Sequence, residues 1–340
     1  MTINKITRSV VASLLLLCTS SLYASDPAGN GTAPNLWLKA DTDVTGTTDV
    51  TAWGTLSNDA TAVRTPSLVE NSMNFNPVIH FDETSNTLYD ASLDFGGITK
   101  ANIFYVAKNG AGSNAQMIAF NKVGYTGGNK YDSPSISKDG VWSKRSDGSE
   151  SSRTFGTTAT TSYFREVQID DANLKLYHYN SVDDEHTYAV NILGSENMKG
   201  VALGSDRADG GNNSGALVDI AEVIVYDALN DDSTRLKIQS YLAIKYGMTL
   251  DTTTDNYKSG SGATVWTHSS LYPSHIIGIA KDDATSLNQE ITKSINTGAI
   301  LTISSDNNFT GANGTHTDLA DGDYLLVGND NGVITTQTTD

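Results

Sequence analysis

The chain has 340 residues, a formal net charge of −17 and a hydrophobic content of 38%. So acidic a chain repels phosphate backbones, which excludes nucleic acid as an expected partner. Its 30 glycines, set among many Thr, Asn, Asp and Ser, fit short strands joined by turns.

The first element in chain order is a leader. Lys5 and Arg8 make a charged start, Val10 to Leu17 is an apolar run too short to span a bilayer, and small residues lead to Ala24. Residues 1–24 are therefore expected to be a signal peptide. Its removal takes Lys5 and Arg8 away and leaves a charge of −19 on about 315 residues. The single cysteine, Cys18, follows Leu17, which is not the small residue that a lipoprotein signal needs, so it is expected to leave with the leader. The mature chain then has no disulfide and no cysteine-based metal site. No later apolar run is long enough for a membrane helix. The expected location is secreted, extracellular or at the cell surface, with the periplasm as the alternative.

Strand signals come next. Asn35 to Ala40 alternates, with Leu36 and Leu38 on one face and Trp37 and Lys39 on the other. Pro77 to Phe81 is short and β-rich. Asn102 to Ala107 is nearly all apolar, as a strand buried on both faces would be. Gln116 to Phe120, Tyr163 to Ile169, Asn173 to Tyr179 and Gly200 to Leu203 continue the series, separated by turn clusters such as "RSDGSE" and "RADGGNNSG". This spacing predicts a sandwich or jelly roll.

Ile220 to Leu250 is the most regular stretch. Strict alternation puts Ile220, Glu222, Ile224 and Tyr226 on one strand face and Ala221, Val223 and Val225 on the other. A helix follows, with Asn230 as the expected N-cap, Asp231 and Asp232 in its first turn, Ile238, Tyr241, Leu242 and Lys245 at helical spacing, and Gly247 as its left-handed stop. Residues 30–250 are thus expected to form one domain. Residues 251–262 are polar and read as a linker. Residues 263–340 form a second small β-rich domain, with strands at Ile276 to Ala280, Ala299 to Ser304 and Tyr324 to Val327. This domain ends at "VITTQTTD" with no hydrophobic closure, so it is expected to be open or part of a longer chain.

Several of these segments carry a resemblance. "LWLKAD", "NFNPVIHFD", "NIFYVAK" and "VDIAEVIVYDALNDDSTRLKIQSYLAIKYGMTL" resemble the LamG-like branch of the concanavalin A-like lectin/glucanase superfamily, found in secreted and surface proteins of environmental bacteria. "HIIGIAKDDATSLNQ" resembles a poorly characterised domain that often follows it. The family's "W-x-D-x-SGNG" segment is reduced here to "AWGTLSNDAT", which keeps Trp53. The resemblance implies an all-β, antiparallel, concanavalin A-like jelly-roll sandwich with one C-terminal helix and a binding or adhesive role. It supplies no ligand, since one fold hosts many functions.

The chemistry points away from catalysis. Glucanases of this fold use an acidic "E-x-D-x-x-E" strand, and no such strand is present. Asp219 and Glu222, three apart on a strand, are expected on opposite faces and so cannot form the two-carboxylate pair of a glycosidase. Asp170 and Asp171 read as a turn. Neither a G-x-S-x-G elbow nor an H-E-x-x-H motif, P-loop or dinucleotide fingerprint occurs. His178 and His186 could hold zinc, but read better as exposed residues of a hairpin. Calcium is the better metal candidate. Ser205 to Gly215 offers Asp206 and Asp209 as ligands with Asn212 and Asn213 beside them, and Asn180 to His186 is a weaker second loop. For sugar stacking the candidates are Trp142, Tyr177, Tyr179 and Tyr125, while Trp37, Trp53, Tyr226, Tyr241 and Tyr246 are assigned to packing. The leading expectation is a non-catalytic lectin-like module that binds a polysaccharide or surface glycan. A polysaccharide-degrading hydrolase or lyase and a structural spacer are the alternatives.

Overall fold

Alternation and apolar runs produce strands throughout the computed structural model, which describes residues 26–58, 65–82, 87–96, 99–110, 116–120, 134–144, 150–156, 162–170, 172–179, 184–193, 198–205, 215–250, 255–330 and 332. In chain order these are β1 (Leu36–Lys39), β2 (Val44–Thr45), β3 (Ala52–Trp53), β4 (Leu56–Asn58), β5 (Ser67–Met73), β6 (Asn76–Phe81), β7 (Leu88–Asp94) and β8 (Ala101–Asn109). There follow β9 (Gln116–Ala119), β10 (Ser135–Ser137), β11 (Gly140–Lys144), β12 (Glu150–Thr154), β13 (Ser162–Ile169), β14 (Leu174–Tyr179), β15 (Asp184–Tyr188), β16 (Lys199–Leu203) and β17 (Val218–Tyr226). Helix α1 (Asp232–Tyr246) is the one helix among the described residues. After it come β18 (Tyr257–Lys258), β19 (Thr264–Trp266), β20 (Ser274–Asp282), β21 (Leu287–Gln289), β22 (Ile291–Lys293), β23 (Thr302–Ser304) and β24 (Tyr324–Asn329).

The protein is all-β with antiparallel sheets. An eight-stranded sheet runs β15-β14-β13-β8-β17-β6-β5, with β1 also pairing β17, and a nine-stranded sheet runs β12-β11-β10-β9-β16-β7-β4-β3-β2. Their inner faces share one apolar core. Leu36 and Leu38 enter it from β1, Ile103 and Tyr105 from β8, Trp53 and Leu56 from β3 and β4, and Val201 and Leu203 from β16. Trp53 is fully buried and donates from Nε1 to the Lys39 carbonyl at 2.9 Å. β8 is buried on both faces as its composition predicts, because Phe104 and Val106 enter a second core on the far side.

That second core lies between the outer face of the eight-stranded sheet, α1 and the β18–β24 unit. Ile238, Tyr241, Leu242, Ile244 and Tyr246 of α1 meet Phe104, Phe164, Ile224 and Tyr226 of the sheet, and Tyr257, Ile276, Ala280 and Leu287 of the following unit. The cap of α1 sits one residue later than its sequence suggests. Asp231, not Asn230, is the N-cap, and its side chain accepts from the Thr234 amide at 2.7 Å. Gly247 stops the helix at φ 63°. The stretch expected to be a linker is packed structure from residue 255 onward: Tyr257 is buried and donates from its hydroxyl to the Met248 carbonyl.

A clasp joins the two units. Asn74 and Phe75 form the tip of the β5–β6 hairpin at φ 49° and 63°, the doubly left-handed turn that twisted hairpins favour. The tip inserts into the following unit. Asn74 donates to the Lys245 carbonyl at 3.0 Å and accepts from the Lys293 amide at 2.7 Å. Asn76 donates to the same carbonyl at 2.8 Å and to Gln289 at 3.1 Å, and Asn313 donates to Asn76 at 3.2 Å. The "NFNP", "LNQ" and "KYG" segments therefore meet at one buried network of amides, which satisfies the open carbonyl of the helix end.

Candidate functional site

The outer face of the eight-stranded sheet carries two buried carboxylates, each saturated. Glu166 on β13 accepts from Arg235 through Nε at 2.7 Å and Nη2 at 3.1 Å, from Tyr179 at 2.6 Å, from Asn102 at 2.8 Å, from Gln168 at 2.9 Å and from Gln239 at 3.2 Å. Glu222 on β17 accepts from Trp37 Nε1 at 2.6 Å, Tyr246 at 2.8 Å, Lys245 at 2.9 Å and Tyr241 at 3.0 Å. Asp41 takes a second ion pair with Lys245 at 3.0 Å. Burial alone would lower the Lys245 ammonium's pKa, but Asp41 and Glu222 outweigh it and hold the group above the usual lysine range. Burial, with Glu222 adding to it, pushes the Tyr241 and Tyr246 phenols well above theirs. These networks anchor α1 to the sheet.

Two of the residues proposed for sugar stacking belong to this seam. Tyr177 and Tyr179 are only 6% and 4% exposed. Tyr179 stacks on Phe164 at 4.5 Å between centroids and on Tyr177 at 6.1 Å, and the Arg235 guanidinium lies 4.5 Å over the Tyr177 ring. Their faces are covered by the helix, so the reading of them as open platforms is corrected. Nothing near them in the chain marks this, because Arg235, which lies over Tyr177 and bonds Tyr179, is more than 50 positions away.

At the end of the same sheet where β8 stops and β13 and β17 start, the cover ends. One cross-strand row there reads Ser67, His80, Asp219, Lys108, Ser162. His80 Nδ1 lies 2.6 Å from Asp219 Oδ1, with the two side chains 38% and 19% exposed. The row depends on a bulge. The register of β17 against β8 shifts between Ile220 and Glu222, which makes Ala221 an extra residue. Ile220 therefore joins Val223 and Val225 in the inner core, and Asp219 and Glu222 share the outer face. Strict alternation had put Asp219 and Glu222 on opposite faces; the bulge overturns that. The two acids still make no catalytic pair, since Asp219 is engaged with His80 and Glu222 with the helix. A half-buried imidazole held by a carboxylate has the arrangement that general acid–base chemistry uses. Sequence reading missed it because His80 and Asp219 are 139 positions apart and only the strand register joins them.

Beneath this end the inner core turns polar. Arg165 is fully buried, donates from Nε to His178 Nδ1 at 3.0 Å and from Nη1 to the Lys138 carbonyl, and lies 4.0 Å over Phe155 and 4.5 Å over Tyr163. Tyr163 donates to Asn109 at 2.8 Å, and burial pushes the Tyr105 phenol beside it up to about 12. His178, expected on an exposed hairpin, is buried here and accepts from Arg165. No group of three metal-ligating side chains occurs among the described residues. Asp206, Asp209, Asn212 and Asn213 lie outside the described residues, as do Tyr125, Asp171 and residues 180–183. The strand ends that flank 206–214 are fixed at this end of the sandwich: Gly204 donates to the Met117 carbonyl at 2.8 Å, Ala216 to the Gly204 carbonyl at 3.0 Å, and Gly110 to the Leu217 carbonyl at 3.0 Å.

The outer face of the nine-stranded sheet holds Trp142. Val141 enters the core, so Trp142 on the same strand points outward and is half-buried. Register places it in a continuous cross-strand row: Ser152, Trp142, Ser135, Ala119, Ala202, Tyr89, Ser57. Two part-exposed aromatics thus stand four strand steps apart, about 19 Å at the usual spacing, with small side chains between them. Ser135, Ala119 and Ala202 are themselves buried.

Comparison with known proteins adds the following. Residues 234–340 match a family described as a domain of unknown function (DUF8202), a match that begins inside α1. No curated protein matches the chain in sequence. Among solved structures the chain is similar to the binding domain of Paraclostridial Mosquitocidal Protein 1, at 11% identity and a TM-score of 0.42, covering 64% of this chain and 55% of that one. It is also similar to Trypanosoma rangeli sialidase in complex with sialic acid, at 12% identity and a TM-score of 0.39, covering 60% and 31%. A third is Domain 4 of AbnA, a GH43 extracellular arabinanase from Geobacillus stearothermophilus, in complex with arabinotriose, at 14% identity and a TM-score of 0.32, covering 51% and 80%. The chain thus spans about half or less of the first two. No helix among the described residues is long and apolar enough to cross a membrane.

Proposed function

We propose that this protein is a secreted or surface-displayed, non-catalytic lectin-like module that recognises a glycan. The observation that carries the reading is the contrast between the two outer sheet faces. One is covered by α1 and the β18–β24 unit over Glu166, Tyr177, Tyr179 and Glu222. The other presents Trp142 and Tyr89 in a single row with serines beside them, the mixture of aromatic surface and hydroxyls that sugar rings require. The leader at residues 1–24 supports export, and calcium in the 205–215 segment is part of the same proposal. The test is retention of the purified chain on immobilised or gel-embedded polysaccharides, with calcium and with EDTA. Saturable retention that Trp142→Ala removes supports the reading, whereas retention unchanged in Trp142→Ala refutes the assigned face.

One observation favours the polysaccharide-degrading alternative. His80, oriented by Asp219 and reachable from solvent, has the form of a general acid–base group. This alternative requires release of reducing ends or unsaturated products from a polysaccharide, and loss of that release in His80→Ala.

A further inference from the structure

Lys245 holds its amine between two carboxylates from separate elements. Nζ lies 3.0 Å from Asp41 Oδ2 and 2.9 Å from Glu222 Oε2, and the side chains of Lys245 and Glu222 are 3% and 0% exposed. Aromatic side chains line the site. Trp37, Tyr241 and Tyr246 all donate to Glu222, and the Tyr241 and Tyr246 ring centroids stand 5.6 Å and 5.4 Å from Nζ. Asp41 follows the end of β1 by two residues. Pairing of Lys39 with Glu222, and an amide bond from Ala40 to the Ala221 carbonyl at 3.0 Å, hold it beside the last turn of α1. The Asp41 side chain is 32% exposed, so this end of the site reaches solvent.

An anchor for the helix needs one carboxylate. An amine with two is the set that amide condensation uses: a nucleophile, an electrophilic carboxyl and a second carboxylate to move protons. We propose that Lys245 and Asp41 condense to an intramolecular isopeptide bond, with Glu222 as the catalytic acid–base group. The resting state is an ion pair, because Asp41 and Glu222 outweigh burial to hold Lys245 charged, and Lys245 outweighs it to hold Asp41 charged. Transfer of one proton from Nζ to Oδ2 turns that pair into a neutral amine and a neutral acid without exchange with solvent, and burial narrows the gap between the two states. An oxygen at 3.0 Å brings the carbon bonded to it close to the near-attack range of about 3–3.5 Å.

The amine then attacks Asp41 Cγ. Glu222 takes a second proton from Nζ and returns it to the departing hydroxyl. The Nζ–Cγ bond forms, one Cγ–Oδ bond breaks, and that oxygen leaves as water with two of the three ammonium protons. Nothing is oxidised or reduced, and no co-reactant is consumed. The seam's titration at acid and alkaline pH belongs to the chain before this bond forms. Afterwards neither partner titrates. The bond would close residues 41–245 into a loop that holds β2 to β17. Tension applied to the chain on either side of that loop passes through the bond and bypasses those strands. With Cys18 as its one cysteine, the chain forms no internal disulfide, and this cross-link would constrain the unfolded chain in the same way.

The test is mass spectrometry of the full chain, purified folded, held at neutral pH and then denatured. The expected mass is one water below that of the sequence, and Asp41→Ala and Lys245→Met should each keep that water. Trypsin should pass over Lys245 and yield a branched peptide that joins residues 40–64 to residues 238–258. A chain at full mass overturns the proposal. So does a water lost without the branch, as a succinimide at an Asp-Gly pair such as Asp139-Gly140 would give. Glu222→Gln keeps the size of the side chain and removes its proton transfer, so the branch should form at least about 100-fold more slowly. An unchanged rate removes Glu222 from the catalytic role. The mass of the unmutated chain decides the bond whether or not that variant folds.

Discussion

The two outer faces of the sandwich have similar ingredients and opposite fates. On the eight-stranded sheet, Glu166, Glu222, Tyr177, Tyr179 and Trp37 would make a convincing ligand site if they were open. Every one of them is occupied by α1 or by its neighbours on the sheet, and Lys245 and Arg235 neutralise the two carboxylates. On the nine-stranded sheet the inventory is poorer, two aromatics in a row of small residues. Yet neither α1 nor the β18–β24 unit packs on that face. The lesson is that residue type does not separate a binding surface from a packing seam; what packs against the face does.

The comparison can be broken first at the seam. Glu222→Ala removes the acceptor shared by Trp37, Tyr241, Tyr246 and Lys245 and leaves a buried ammonium with Asp41 alone. A loss of about 3–5 kcal/mol in chemical denaturation is expected. A loss below about 1 kcal/mol would show that the seam is not what holds α1 down. Gly247→Ala should cost less, about 1–2 kcal/mol, because alanine is strained at φ 63° and its Cβ would lie 2.4 Å from the Lys293 carbonyl oxygen unless the clasp shifts.

Proton linkage sharpens the contrast. Burial raises the Asp41 carboxyl but Lys245 more than offsets this, so its folded pKa is depressed; its stabilisation is present above the usual carboxylate range and is lost as pH falls through the folded value. The Lys245 pKa is raised, so its stabilisation is complete below the usual lysine value and is lost as pH rises through the folded one. The seam should therefore weaken at both extremes and hold between them. Lys245→Met should flatten the alkaline limb of a melting-temperature profile, and an unchanged limb would remove Lys245 from the account. The smallest effect on stability is expected on the other face. Trp142→Ala should lower stability by about 1 kcal/mol or less while abolishing glycan retention, and Tyr179→Phe should leave retention unchanged. The reverse pattern would exchange the roles of the two faces.

Much of this architecture was legible. The alternation of Leu36 and Leu38 against Trp37 and Lys39, the doubly apolar run of β8 and the Gly247 stop follow from local stereochemistry, and each is where periodicity places it. The helix start was displaced by one residue because Asn230 and Asp231 are both good caps, and only the hydrogen bond to Thr234 chooses between them. The β17 bulge was invisible, since nothing in "VDIAEVIVY" marks Ala221 as the extra residue. The candidate site was less legible still. Trp142 was a stacking candidate by residue type and place in the chain, but its outward position on β11, its row partner Tyr89 and the His80–Asp219 pair arise only from strand pairing and register.

By itself the sequence determined an acidic chain, a strand-rich sandwich and one capped helix, because these depend on composition, period and local caps. The tertiary structure alone decided that Tyr177 and Tyr179 are seam residues, that Asp219 and Glu222 share a face, and that the hairpin tip at Asn74 is a clasp. Each of these turns on which distant groups come to lie within hydrogen-bonding or van der Waals reach. That is settled by sheet register and by the packing of α1, and neither is written in any single stretch of the chain.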